Sequence, residues 1–167
     1  MKLFVLISLV LGSSLSFAKS GLQGSWTKCE VKDGYHYEHF VEFKKNGVEL
    51  ELHIFQQETE KPCGGKVLNI VGRKWSYQYT SGEYSSSLEK TYATVHHSYL
   101  VKEFNKVGNC KFKDWKIGEA VDCTHNYFID FEEGVGYKTK HTYVLRGDEM
   151  IVLDSESETS VYKRVKD

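Results

Sequence analysis

From Tyr35 to Phe55 the chain reads YHYEHFVEFKKNGVELELHIF, and its residues alternate in character along two successive runs. In the second run Val48, Leu50, Leu52 and Ile54 alternate with Glu49, Glu51 and His53, the period of two that gives a strand one buried and one wetted face. In the first, Tyr35, Tyr37, His39, Val41 and Phe43 alternate with His36, Glu38, Phe40 and Glu42. Asn46-Gly47 between the runs suits the two positive φ angles of a type I′ turn. The stretch is a β-hairpin with one buried face, and the fold has to be built around it.

The rest of the chain repeats that pattern. Gly24-Ser25-Trp26 opens a first strand that runs to a turn at Asp33-Gly34. Val67 to Thr80 is a strand with Gly72 as a bulge and Trp75, Tyr77 and Tyr79 on one face. Leu88 to His97 is rich in β-formers, a turn leads into a strand around Trp115 to Thr124, and Tyr127 to Phe131 reads as strand or loop. Tyr137 to Leu145, Glu149 to Asp154 and Thr159 to Lys166 are three short strands. Only Ser98 to Val107 departs, with Leu100, Val101, Phe104 and Val107 at helical spacing, Ser98 as N-cap and Gly108 as stop. Eight to ten strands with one short mid-chain helix specify an all-β antiparallel sandwich or barrel.

Ahead of this domain, MKLFVLISLVLGSSLSFA places one Lys before an apolar run and a small-residue site at Ser16-Phe17-Ala18. It reads as a signal peptide, residues 1–18, with an apolar run too short to span a bilayer as a helix. Residues 19–167 then form a single exported domain, periplasmic or secreted. Removing the signal peptide leaves 21 basic and 23 acidic side chains, a balance that argues against nucleic acid as a partner. The four cysteines, Cys29, Cys63, Cys110 and Cys123, are an even set in an exported chain. They favour two disulfides, with Cys110–Cys123 and Cys29–Cys63 the preferred of the three pairings.

Gly24-x-Trp26 on the first strand, the meander of antiparallel strands, and a last strand ending Val161-Tyr162-Lys163-Arg164 together resemble the lipocalin-like (calycin) barrels. Asp114-Trp115 and the closing Tyr143-Val144-Leu145 and Gly147-Asp148-Glu149-Met150-Ile151 also resemble small exported bacterial proteins of that kind. The resemblance implies an up-and-down barrel closed at one end by Trp26, with Arg164 packed across it in a cation–π contact. Alternation that turns Trp26 inward also turns Lys28 and Glu30 inward. Those two therefore require a bulge, an ion pair or a different facing of Trp26.

The resemblance further implies a small apolar or aromatic ligand inside the barrel, which needs a cavity of about 300 Å³ or more. Tyr37, His39, Leu52, Ile54, Trp75, Tyr77 and Tyr92 are the candidate lining residues. A different class of function is a cell-envelope structural or protein-interaction domain with a filled core, working through loops Glu60–Gly65 and Asn126–Gly136. Of the seven histidines, His39, His96 and His141 on separate strands are the set a zinc site would have to gather. No GxSxG element is present, and Glu132-Glu133 and Glu156/Glu158 lie in polar loops suited to solvation. The sequence therefore gives no reason to expect an enzyme, a cofactor or a metal.

Overall fold

The computed structural model describes residues 21–55, 62–80, 82–125, 134–153 and 159–166. The signal peptide, Tyr127 to Phe131, both loop carboxylate pairs and parts of the loops at Glu60–Gly65 and Asn126–Gly136 lie outside the described residues. In chain order the strands are β1 (Gly24–Lys32), β2 (Tyr35–Lys44), β3 (Gly47–Phe55), β4 (Val67–Thr80) and β5 (Glu83–Val95). After the helix α1 (Ser98–Val107) come β6 (Ala120–Asp122), β7 (Lys138–Arg146), β8 (Glu149–Leu153) and β9 (Thr159–Arg164). Each strand from β1 to β5 pairs antiparallel with the next, β5 continues to β7, and β9 returns to β1. This is a closed, up-and-down, antiparallel barrel of eight strands, with β6 added beside the C-terminal part of β5.

The hairpin is where alternation placed it, but its turn is not. Neither Asn46 nor Gly47 has a positive φ, and Gly47 is already in β3, opposite Lys44. Glycine is required at 47 for another reason: a Cβ there would sit 2.8 Å from the Trp75 carbonyl oxygen. The double positive φ occurs one hairpin earlier, at Asp33 (50°) and Gly34 (79°), where β1 meets β2.

Two further expectations shift. Gly72 is not a bulge, since it pairs in register with Tyr92 and lies flat beneath that ring, where a Cβ would be 2.0 Å from Tyr92 Cζ. The β4–β5 irregularity falls instead between Lys74 and Trp75. The strand expected around Trp115 shrinks to Ala120–Asp122, because Trp115 itself is drawn under α1.

Inward side chains form the main core, with Trp26, Val41, Phe43, Val48, Trp75, Leu88, Met150 and Val152 buried together with Leu22. A second core lies where α1 folds back on β5. Ala93 and Val95 meet Leu100, Val101 and Phe104 there, while Val107 is exposed. The helix is capped by His97, whose ring accepts a hydrogen bond from the Tyr99 amide, so Ser98 is its first residue rather than its cap. It stops at Gly108, in the left-handed conformation that glycine adopts without strain. Trp115 is held from both sides by Asn105, which accepts from the Trp115 amide at 2.7 Å and donates to its carbonyl.

Both disulfides form as expected, Cys29–Cys63 and Cys110–Cys123. The first ties the β3–β4 connection to β1; the second closes the loop after α1 onto the end of β6. Such cross-links belong to oxidising compartments. No helix among the described residues is long and apolar enough to cross a membrane.

Candidate functional site

Alternation and register decide what faces the lumen. Trp26 pairs with Val41 and with Arg164, Val41 with Leu50, and Leu50 with Arg73, so these side chains share the inner face. At one end the lumen is sealed. Leu22 and Trp26 are fully buried, and the Trp26 indole donates to the Leu22 carbonyl at 2.9 Å. The Arg164 guanidinium lies 4.1 Å from the centre of the Trp26 ring and donates to the Gln23 and Gly21 carbonyls. Gly24 makes room for this, with a φ of +115° and a would-be Cβ 3.0 Å from Arg164 Nη1. The expected pairing of Trp26 with Arg164 is thus present, as a plug that also staples the entering chain.

No bulge follows Trp26 in the β1–β2 register, so Lys28 and Glu30 do turn inward. They resolve the conflict as an ion pair: Lys28 Nζ lies 3.0 Å from one Glu30 oxygen, and His39 Nε2 lies 3.0 Å from the other. Lys28 also donates to the Ser160 hydroxyl at 3.2 Å. Partial burial pushes the Glu30 carboxyl up, but the hydrogen bonds from His39 and Lys28 outweigh it and leave it below its ordinary value.

Above the plug the lumen holds a cavity of about 250 Å³. This is smaller than the roughly 300 Å³ usual for ligand sites, yet larger than the roughly 150 Å³ that accepts benzene in an apolar core. One part of its wall is apolar, made by Val41, Val48, Leu50, Trp75, Met150 and Val152. The other carries Arg73, Tyr84, Ser86, Thr139, His141, Ser160 and Tyr162. Ser86 and Thr139 bond hydroxyl to hydroxyl at 2.7 Å, and the His141 ring sits 4.9 Å from that of Tyr84. Burial holds the Tyr84 and Tyr162 phenols up, Tyr162 at about 12, so both remain protonated donors near neutral pH.

Of the seven candidate lining residues, Trp75 alone reaches this cavity. Tyr37 and His39 pair with Ile54 and Leu52 along the inner face but do not reach it. Tyr77 packs edge-on against Phe43 and donates to the Lys44 carbonyl. Tyr92 faces outward, a correction that follows from its place opposite Gly72. Its hydroxyl bonds to both Glu49 and Glu51 on the outer wall of β3. His39, His96 and His141 are not gathered, and no three His, Cys, Asp or Glu side chains among the described residues converge as a metal site requires.

Sequence reasoning missed the apolar Val41, Val48, Leu50, Met150 and Val152 of the cavity wall as well as its polar residues. Arg73 was readable, two positions before Trp75 on the same face. Tyr84 and Ser86 were hidden because the strand was expected from Leu88, whereas β5 already begins at Glu83. Compared with protein-family models and with curated proteins, the chain matches none.

Proposed function

We propose that this chain is an exported lipocalin-like barrel that binds one small molecule, about the size of a single ring, and performs no chemistry on it. The observation that carries this reading is the lumenal cavity, whose apolar wall and cluster of hydroxyl, imidazole and guanidinium groups combine as in small-molecule sites. The size of the cavity narrows the ligand from any apolar molecule to a compact one. Family membership is supported by the plug, since Gly24, Trp26 and Arg164 occupy the positions the lipocalin resemblance assigns them. Export is supported by the two disulfides and by the signal-peptide pattern of residues 1–18. A binding rather than catalytic role is supported by Ser86 and Thr139, whose hydroxyls bond to each other rather than to a base that would activate one of them.

Two measurements test this together. Native mass spectrometry of protein purified from its source reports any retained small molecule. Titration with single-ring compounds of differing charge, read by the fluorescence of Trp75 in the cavity wall, reports capacity. At least one compound is expected to bind saturably at one per chain, and Ser160→Leu, which fills the cavity, is expected to abolish it. If no compound saturates and no molecule co-purifies, the reading is wrong.

A further inference from the structure

Charge is unevenly spread over the chain. Residues 19–167 carry more acids than bases, yet Tyr99 to Lys116 holds five lysines against Glu103 and Asp114, and no arginine. Leu100, Val101 and Phe104 turn α1 onto the barrel, so the opposite stripe of the helix is Tyr99, Lys102 and Lys106, all exposed. Past Gly108 the backbone is left-handed at Cys110 (φ 55°) and Lys111 (φ 53°), and the Cys110–Cys123 cross-link ties this turn down. Lys111, Phe112, Lys113 and Asp114 are left exposed while Trp115 is buried. Lys113 folds back over the end of the helix, since a Cβ on Gly108 would lie 3.1 Å from its Cε. Val107, 61 % exposed, and Phe112, 38 % exposed, thus stand among Lys106, Lys111 and Lys113. Among the described residues only Lys116 of the five lysines is ion-paired, with Asp114 and Glu119.

We infer that the end of α1 and the cross-linked loop after it form a docking surface for an anionic lipid bilayer. The lysines meet the headgroups, and Val107 and Phe112 enter the boundary between headgroups and acyl chains. Charge complementarity points to an anionic partner, and lysine beside an anionic leaflet adds to binding one residue at a time. The choice of lysine points to a bilayer rather than a protein. Protein interfaces are enriched in arginine and depleted in lysine, and a guanidinium suits a carboxylate held in fixed geometry. A lysine ammonium is a point charge on a flexible stem, which suits a fluid layer of headgroups that offers no fixed geometry. Exposed apolar side chains ringed by lysines are also what holds a segment in the interface without spanning the membrane. Phe112 is firmly presented there. Its ring rests edge-on, 6.0 Å from that of the buried Trp115, whose backbone Asn105 holds from both sides. This surface is independent of the lumenal cavity.

The test floats protein purified after export, its N-terminus verified by mass spectrometry, with vesicles of two kinds: phosphatidylcholine alone, or equal parts phosphatidylcholine and phosphatidylglycerol. The anionic vesicles are expected to bind roughly tenfold more tightly or better, and salt at about 0.5 M to remove most of that advantage. Lys106→Gln and Lys113→Gln are each expected to weaken binding about fivefold, and Phe112→Ser by roughly as much through lost apolar burial. Lys138→Gln, at an exposed lysine on β7, should leave binding unchanged. Phe112→Trp should shift its emission to the blue on anionic vesicles, which a purely electrostatic contact would not produce. If Phe112→Ser does not fold by circular dichroism, that emission decides the apolar part alone. Equal binding to both kinds of vesicle, or to neither, overturns the inference. Anionic binding that survives all three substitutions belongs to another face and overturns it as well. Loss at the lysines with no effect at residue 112 overturns the bilayer, and displacement of the vesicles by polyglutamate at matched charge then assigns the surface to a soluble acidic partner.

Discussion

A filled end and an open stretch of lumen lie within one barrel, on the same inner faces. Around Trp26 the buried Leu22 and Phe43 pack inward, and the lumen is filled. Where Ser86, Thr139 and Ser160 line it, side chains of two or three heavy atoms, the lumen is open. Eight strands make a barrel just wide enough to be filled by its own side chains or to hold one small ligand. Side-chain size at alternate positions therefore decides between plug and cavity, without any change in the backbone. Polarity follows the same division. At the plug Trp26 and Arg164 are committed to each other and to the backbone of residues 21–23, whereas Ser86, Thr139 and Ser160 line the cavity.

Breaking the plug is expected to have the largest effect. Trp26→Ala removes a fully buried ring and should destabilise the barrel by about 3–5 kcal/mol, read as a lowered urea midpoint. Binding should fall only in proportion to unfolding. Arg164→Ala comes next, at about 1–2 kcal/mol, from loss of the cation–π contact and its carbonyl bonds. In the Trp26→Ala background the same change should cost clearly less, since the pair acts as a unit. Additive losses would show that the two residues only happen to be near each other.

The contrast sharpens at the cavity. Ser160→Leu gives up one hydrogen bond from Lys28, worth about 1 kcal/mol, and regains a similar amount by burying about two more carbons, at roughly 0.8 kcal/mol per CH₂. Stability should therefore change by less than about 1 kcal/mol while ligand binding is lost, the reverse of the plug variants. A destabilisation comparable to Trp26→Ala would mean that the lumen is structural throughout.

The smallest effect belongs to the outer wall. His53 is clamped between Glu51 (2.8 Å) and Glu38 (3.2 Å), and the hydrogen bond to Glu51 is the main force holding its pKa above the ordinary value. That stabilisation is fully present below about pH 6.5, the ordinary histidine value, and disappears as pH rises through the higher folded-state value. The wild-type chain should thus exceed His53→Gln in urea midpoint most at pH 6, by under about 1 kcal/mol, with the gap closing in alkaline solution. A gap that widened with pH would reverse the assignment. Beside it Glu49 is held down at about 2, where burial raises it and bonds from Lys44, Tyr92 and Lys74 prevail.

The sequence by itself determined most of the strands, because a period of two survives in Val48-Leu50-Leu52-Ile54 and Tyr143-Leu145 whatever they pack against. It also determined the helix, which has apolar positions at 100, 101 and 104 and a glycine stop, and it favoured, among three possible pairings, the disulfides that form. The plug was legible only through the resemblance to lipocalin-like barrels, which Gly24-x-Trp26 and the strand ending in Arg164 carry. Only the tertiary structure decided how the faces met. Alternation makes Tyr92 as plausible an inward aromatic as Trp75. The irregularity between Lys74 and Trp75 resets the phase of β5 relative to β4, and Tyr92 ends on the outer wall over Gly72. The cavity was hidden in a similar way, because it is an absence, left where Ser86 of β5, Thr139 of β7 and Ser160 of β9 face one lumen. Small polar side chains in strands distant along the chain give no local sign that they will share an interior. That depends on barrel closure, a long-range event in which the register of β1 on β9 fixes which short side chains meet.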